Sequence, residues 1–258
     1  MRDRLVAIGT LAGAAVLETV RRKDLYVVWF LALFMLGAGG VMGALGVRGL
    51  DIFLRDVALT VVNLLSLILC VWLAARQMPE EASRRTLFPL LARPIRRADL
   101  LIGKWLAVWL LSIGALLVLA GIAAAELALF GVRLPPILWQ YLVLRSLSFA
   151  VIAALTIALS LVLTAPATVT VSLLLAWGGP WLGDALVTLH AQAPSLRPGI
   201  VLLYYLLPHL DLFDLSKKTA FAWPPVAMGV VATVAAYGAL YTAIFLGLAA
   251  IRFRRMAL

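Results

Sequence analysis

Long stretches without a charged residue constrain this chain more than any other feature of its sequence. Residues 146–183 contain no Asp, Glu, Lys or Arg, and residues 137–144 extend the run on the far side of Arg145. A membrane-spanning helix needs about 20 apolar residues to cross the hydrocarbon layer. The run has almost twice that length, so we predict two helices that turn at Pro166, because proline removes a backbone donor and clashes with the preceding helical turn.

Composition places the chain in a membrane. Hydrophobic residues make up 64% of the sequence, and the mean hydropathy is +1.07, which a soluble domain of this size could not hide from water. The net charge of +10 does not indicate nucleic acid, because the basic residues bracket apolar runs and do not line a groove with aromatic residues. With one cysteine, Cys70, the chain can form no intrachain disulfide, and we expect no metal site.

The apolar runs predict an all-α integral membrane fold with six transmembrane helices. At about 1.5 Å of rise per residue, we place the spans at about 25–47, 56–75, 105–127, 137–163, 167–189 and 225–251. Residues 1–24 contain only a short apolar run, Leu5–Leu17, which Glu18 and three basic residues follow. This pattern predicts a helix in the cytoplasmic interface, and it differs from a signal peptide and from a full span.

Positive charge orients the predicted spans. With both termini in the cytoplasm, 15 of the 22 Lys and Arg residues lie inside and six lie outside, and the loop 76–104 alone holds seven. A five-span arrangement gives the same tally, so span length decides for six. The basic cluster at 252–255 agrees with a cytoplasmic C-terminus.

The segment between the fifth and sixth spans, residues 191–224, is the largest external feature. Its apolar stretch Gly199–Leu207 lies between two prolines and is too short to span the membrane. A short re-entrant or surface helix and a loop on the bilayer explain it equally well. Aromatic residues supply interfacial anchors in either case: Tyr204, Tyr205 and Trp223.

Catalytic motifs are missing from the sequence. Gly103-Lys104-Trp105 lacks the earlier glycine and the hydroxyl residue of a P-loop, so it is not a phosphate-binding loop. We find no Gly-x-Ser-x-Gly and no His-Glu-x-x-His. The chain is therefore predicted not to be an enzyme and to bind no cofactor.

Two ionisable residues within the predicted spans need a partner or a task, because a central charge costs about 2.5–3.5 kcal/mol on insertion scales. Glu126 lies near the outer end of the third span and Arg145 follows the start of the fourth, so an ion pair is one hypothesis. Glu126 reaching the headgroups and Arg145 snorkelling are the alternatives. Asn63, Asp56 and Asp184 are weaker candidates for a transport pathway, and the two aspartates fit an interfacial position better.

The loop between the second and third spans carries the most specific pattern. An acidic pair, Glu80-Glu81, precedes Arg84-Arg85-Thr86-Leu87, and then come Leu90-Leu91-Ala92-Arg93-Pro94 and Leu100-Leu101-Ile102-Gly103-Lys104. These strings resemble the cytoplasmic loop of ABC-2-type permeases, the membrane subunits of many ABC exporters. Tyr205–Asp211 is similar to an external segment of that family, notably in permeases of nitrous-oxide reductase maturation systems.

The resemblance implies that a separate ABC ATP-binding subunit, which holds ATP and Mg, docks on a coupling helix at residues 80–91 and drives export. The docking residues that it implies include acidic, basic and apolar side chains: Glu80, Glu81, Arg84, Arg85, Leu87, Phe88, Leu90 and Leu91. Arg84 and Arg85 would pair with carboxylates of the ATPase, and the apolar residues would form the contact. Membrane orientation alone explains four other basic residues of the loop, Arg76, Arg96, Arg97 and Lys104.

Further partners also follow from the resemblance. One six-span chain supplies one of the two membrane halves of an exporter, which implies a second copy or a paralogue. Gly39 and Gly43 have a spacing that permits close helix packing. Membrane lipids and a periplasmic or external accessory protein complete the candidate partners, and the implied location is the bacterial inner membrane.

Two other function classes remain open at this stage. The first is a membrane anchor or assembly subunit that transports nothing. The second is an enzyme that modifies lipid headgroups, which requires clustered acidic or histidine residues at one membrane face, and no such cluster is evident. The sequence does not specify the substrate, although the low charge of the spans fits a lipid-like cargo.

Overall fold

The computed structural model describes residues 9–10, 12–14, 16–17, 30, 33, 37, 51–83, 97–192 and 197–255. The helices of the described continuous ranges are α1 (Asp51–Ser83), α2 (Arg97–Leu129), α3 (Leu138–Ser160), α4 (Ala165–Gln192), α5 (Arg197–Leu206), α6 (Ser216–Ala220) and α7 (Met228–Arg255). A 3-10 turn, Leu210–Phe213, lies between α5 and α6. The predicted first span at 25–47 and the glycine pair Gly39 and Gly43 lie outside these residues, apart from isolated helical positions.

Four described helices are long and apolar enough to cross a membrane. They cover Asp51–Pro79, Ala98–Leu129, Leu138–Ser160 and Met228–Arg255, and they coincide with the second, third, fourth and sixth predicted spans. The fifth predicted span falls on α4, whose apolar part, Ala165–Gly179, is shorter. The structure thus supports an all-helical membrane protein, and the number of six spans stays a prediction.

The helices on either side of the predicted cytoplasmic loop 76–104 are longer than the sequence suggested. Helix α1 continues through Pro79 to Ser83, and α2 already begins at Arg97. A charged residue ends an apolar run, but it leaves the backbone hydrogen bonds of a helix intact, so counting charge-free residues underestimates helix length. Lys104, which we had placed at the end of the loop, is buried in the side of α2.

The predicted turn near Pro166 is confirmed as a break between α3 and α4. Helix α3 ends at Ser160, and the N–H of Leu163 donates to the carbonyl of Leu159 at 2.9 Å to close the turn. Pro166 is the second residue of α4. Proline is favoured in the first turn of a helix, because the N–H that it lacks has no partner there.

Helix α3 lies at the centre of the described bundle and packs against α1, α2, α4 and α7. Two stacked indoles fix α2 against it, since Trp105 and Trp109 donate to the carbonyls of Ala150 and Ser146 at 2.9 and 2.8 Å. The residue number increases along α2 from the first bond to the second, while it decreases along α3, so these helices are antiparallel. This pairing gives a fixed frame along which the depth of other side chains can be compared.

On the other side of α3, helix α1 approaches through its cysteine. The thiol of Cys70 lies 3.7 Å from the carbonyl oxygen of Phe149, and it is near Ser112 of α2. Cys70 therefore packs between helices. Ala12 of the N-terminal segment packs on Ala107 of α2.

Candidate functional site

The predicted ATPase-docking residues divide into two sets in the structure. Glu80 and Glu81 belong to the last turn of α1, so this part of the predicted coupling helix is a continuation of the preceding long helix. Arg84, Arg85 and the apolar residues Leu87, Phe88, Leu90 and Leu91 lie outside the described residues. Their role in docking stays a prediction.

The apolar stretch of the external segment is helical. Most of Gly199–Leu207 belongs to α5, and of its two flanking prolines one lies in the first turn of that helix and the other lies two residues after its end. Tyr205 and Trp223, two of the predicted interfacial anchors, are largely exposed. The rings of these two residues are therefore accessible to lipid.

Aromatic side chains hold the end of α5 and the residues that follow it against α7. We call them the aromatic cluster: Tyr204, Tyr205, His209, Tyr237 and Tyr241. The hydroxyl of Tyr237 accepts from the backbone N–H of His209 at 2.9 Å, and the hydroxyl of Tyr241 donates to the carbonyl of Tyr205 at 2.7 Å. The rings of Tyr204 and His209 meet edge to face at 4.4 Å. The cluster thus fixes both the backbone and the side chains of the segment.

The position of these contacts shows how deep the segment lies. Tyr237 and Tyr241 are roughly 14 and 20 Å from the first residue of α7 at 1.5 Å per residue, and this helix has 28 residues. Farther along the segment, Phe213 is fully buried, and its ring packs against Gly238 of α7 and close to Val151 of α3. Residues 205–213 therefore lie alongside the middle of the long helices and not across their ends.

A small groove opens between α4 and the end of α5. One wall is a face of α4 that includes two glycines, and the other wall belongs to the external segment. Its lining residues are Leu175, Gly179, Gly183, Leu186, Tyr204, Leu207, Pro208 and His209. The groove is mostly apolar with a polar end at His209, so it suits an apolar chain or ring next to a hydrogen-bonding group.

Gln140 joins the chain before α7 to the start of α3. Its side-chain amide donates to the carbonyl of Val226 at 2.8 Å and accepts from the N–H of the same residue at 2.7 Å. Both polar groups of one peptide segment are satisfied by one buried side chain. This arrangement fixes where the last long helix begins relative to the centre of the bundle.

Arg145 is buried within α3, with 5% of its surface exposed. Its guanidinium carbon lies 5.2 Å from the ring centre of Phe149, one turn farther along the helix, which is a cation–π distance. The neighbouring Ser146 accepts from Trp109 of α2, and Trp109 is almost five turns, roughly 25 Å, from Glu126. This register gives the predicted Glu126–Arg145 ion pair no support, and the pair stays a prediction.

Three sets of hydrogen bonds that position the segment and α7 were not predicted from the sequence. They are the pair between Gln140 and Val226, which we call the Gln140 clamp, the Tyr237–His209 bond and the Tyr241–Tyr205 bond. Tyr237, Tyr241 and Phe245 recur every four residues in the last span, and this spacing is the signal that was available. A row of tyrosines deep in a span indicates a protein neighbour, because each hydroxyl needs a partner there. In the described parts of the chain, no three His, Cys, Asp or Glu side chains form a group suited to a metal ion.

Comparison with protein families matches most of the chain to a known family. Residues 19–258 match the model of a family described as ABC-2 family transporter protein. The match extends over residues 76–104, all the long described helices and residues 191–224. No match is found among curated proteins.

Proposed function

Because the chain belongs to the ABC-2 family of transporter proteins, we propose that it is the membrane-spanning permease of an ABC exporter. ATP and Mg are held by a separate ATP-binding subunit, an association that membership of the family implies. The family match over residues 19–258 carries the proposal, and the four long apolar helices support it. The narrower likeness to permeases of nitrous-oxide reductase maturation stays a prediction.

The ATPase docks on the cytoplasmic connection between α1 and α2. This connection is rich in arginine, with Arg84, Arg85, Arg93 and Arg96 within the thirteen residues between the two helices. The long rigid helices that flank it would transmit a push on this connection to the core of the bundle. Because the two helices themselves transmit the motion, a short connection between them is enough to contact the ATPase.

The functional unit contains two membrane halves, supplied by a second copy of this chain or by a paralogue. It lies in the bacterial inner membrane with both termini in the cytoplasm, which the basic residues at the end of α7 favour. The external segment re-enters the membrane beside α3 and α7, in keeping with the depth of its contacts with Tyr237 and Gly238. The cargo is apolar or amphipathic.

A pull-down from mild-detergent extracts of native membranes tests this function. The tagged protein is compared with the double variant Arg84→Glu, Arg85→Glu, and partners are identified by mass spectrometry. We expect a P-loop ATPase to accompany the native protein and to be lost from the variant, because reversed charges would repel the carboxylates with which the arginines pair.

The matched control is Arg96→Glu, Arg97→Glu, which makes the same change of charge in the same region at positions explained by orientation alone. The control protein should retain the ATPase. Loss of the ATPase from both double variants would indicate altered membrane insertion and would remove Arg84 and Arg85 from the docking site. Absence of any ATPase from the native complex would contradict the permease function and favour an anchoring subunit.

A further inference from the structure

Six buried polar atoms within the described residues have no hydrogen-bond partner, and three of them lie close together on the facing sides of α1 and α3. These three are Oδ1 of Asn63 in α1, the hydroxyl of Tyr141 and Nε of Arg145 in α3. We call these three residues the polar layer. A buried polar group without a bond costs about 1–3 kcal/mol by mutational data, so three at one place require an explanation.

The helix register brings the three residues to one level. Tyr141, Arg145 and Phe149 recur every four residues, so they share one face of α3, and Asn63 and Cys70, seven residues apart, share one face of α1. The contact between Cys70 and Phe149 shows that these two faces meet. Both α1 and α3 are antiparallel to α2, so they run in the same direction, and Asn63 lies opposite the turn between Tyr141 and Arg145.

The polar layer also lies at a common depth. Asn63 is seven residues beyond Asp56, near the outer end of α1, and Arg145 is seven residues beyond the start of α3. Seven residues correspond to roughly 10 Å along a helix. The layer therefore lies in the first half of α1 and of α3 and beside the middle of α2, well inside the apolar part of the bundle.

The chemistry of the layer selects an anion. Phe149 covers one face of the Arg145 guanidinium, and the Nε–H, which lies in the plane of the group, has no acceptor among the described residues. The Tyr141 hydroxyl is a second donor, and the amide of Asn63 can present either its oxygen or its N–H₂ group by rotation. A positive charge with two or three convergent donors in a medium of low dielectric constant binds an oxyanion strongly.

We infer that Asn63, Tyr141 and Arg145 form an intramembrane site for an oxyanion carried on an apolar chain, such as the carboxylate of a long-chain acid. A free inorganic anion would have to give up its water to reach this depth, whereas an amphipathic molecule arrives through the lipid with its chain already solvated. The inference rests on the proposed function only in that the ligand is then a cargo or a regulator of transport. Binding itself can be measured without ATP.

One acidic residue opposes the bound anion. Asp214, directly after the fully buried Phe213, interacts electrostatically with the Tyr141 hydroxyl, as Arg145 does. Asp214 is exposed, and its Oδ1 accepts from the N–H of Ser216 at 2.8 Å. Asn can make the same bond, so Asp214→Asn removes the negative charge without removing the cap of the following helix.

The test measures binding of radiolabelled oleate to the full chain, isolated with its copurifying subunits and placed in phosphatidylcholine nanodiscs. A pH near 9 keeps the oleate ionised, because partition into lipid raises the pKa of a carboxylic acid. Methyl oleate, which has the same chain and no charge, reports non-specific partition. We expect saturable binding of oleate over methyl oleate by the native protein.

Matched variants identify the site. Arg145→Gln should weaken oleate binding tenfold or more, and Tyr141→Phe should weaken it about threefold to tenfold, the effect of one hydrogen bond to an anion. Asp214→Asn should strengthen it by about twofold to fivefold. Arg252→Gln, which removes the same charge from an exposed position at the cytoplasmic end of α7, should change it by less than about twofold.

Oleate binding that is equal in native protein, Arg145→Gln and Tyr141→Phe would overturn the inference and leave the layer to buried water. If Arg145→Gln does not fold, oleate binding by Tyr141→Phe and Asp214→Asn still tests the inference. Tyr141→Phe changes no charge and Asp214 is exposed, so we expect both variants to fold. A second arm includes phosphatidylglycerol in the nanodiscs and counts retained lipid by native mass spectrometry. Loss of that lipid from Arg145→Gln, without an effect on oleate, assigns the site to a lipid phosphate.

Discussion

The aromatic cluster and the polar layer both place polar side chains among apolar helices, but they differ in whether bonds are made. In the cluster, the hydroxyls of Tyr237 and Tyr241 each bond to a backbone group of the external segment. In the polar layer, Tyr141 and Arg145 each retain a donor without an acceptor in the described part of the chain. The comparison teaches that hydrogen-bonded polar groups hold a segment in place. Unpaired donors do not stabilise the fold, and we infer that they bind an anionic ligand.

The strongest test of the anchored segment is Phe213→Ala. The side chain is fully buried between α3 and α7, and a soluble core would lose about 3–5 kcal/mol. We expect about 2–3 kcal/mol, because in lipid the unfolded side chain is solvated nearly as well and mainly the packing is lost. Unfolding in mixed micelles measures it, with Leu212→Ala, an exposed neighbour, as the control that should cost less than about 1 kcal/mol.

Gln140→Ala should have the next largest effect. It leaves both the N–H and the C=O of Val226 without their partner, and the expected loss of stability is about 2 kcal/mol. Gln192→Ala, at the exposed end of α4, removes the same atoms where water can replace them. Equal unfolding free energies for the two variants would show that the clamp does not hold the start of α7.

Substitution of two glycines of α7 by alanine should change the unfolding free energy in opposite directions. A Cβ at Gly238 would lie 2.9 Å from the ring of Phe213, whereas a Cβ at Gly247 meets nothing within 4 Å. Gly238→Ala should therefore cost about 1–2 kcal/mol through overpacking, and Gly247→Ala should stabilise the helix by about 0.5–1 kcal/mol. The two unfolding free energies, measured side by side, would contradict the described position of Phe213 if both rose.

Tyr237→Phe removes the acceptor of the His209 N–H while it keeps the ring. Hydrogen bonds between helices in a membrane are worth about 0.6 kcal/mol on average and about 1.7 at most. We expect a loss within that range, together with faster hydrogen exchange of the His209 amide, which mass spectrometry of the segment would detect. Unchanged exchange would show that another group satisfies this amide.

The sequence was sufficient for the helical membrane class and for the turn at Pro166, because both depend on local properties, namely apolar length and the missing proline N–H. Helix ends were less accurate: α1 continues past Arg76 and Pro79, since a charge changes what surrounds a helix and not its backbone bonds. Local pattern could not reveal that the external segment lies beside Tyr237, because this contact joins residues far apart in the chain.

For the site residues, too, local properties were predictable from the sequence and contacts between distant residues were not. Arg145 was identified from the sequence as a costly charge in a span, but its surroundings were not, because they depend on the register between α1 and α3. That register follows from a contact between Cys70 and Phe149, two residues without any charge or motif. Glu126 is predicted as the partner of Arg145 from its distance to a helix end, and this pair stays a prediction; the hydrogen bond from Trp109 to Ser146 places Arg145 beside the middle of α2.

The smallest expected effect on stability decides between the two kinds of polar group. Tyr141→Phe removes a hydroxyl of a fully buried residue that has no partner among the described residues, so the unfolding free energy should stay the same or rise by up to about 1 kcal/mol. The equivalent change at Tyr237 should lower it. If Tyr141→Phe also destabilises the protein, its hydroxyl is bonded to buried water or to another group, and the polar layer belongs to the framework like the aromatic cluster. If it leaves stability intact while it weakens oleate binding, the hydroxyl serves the ligand and not the fold.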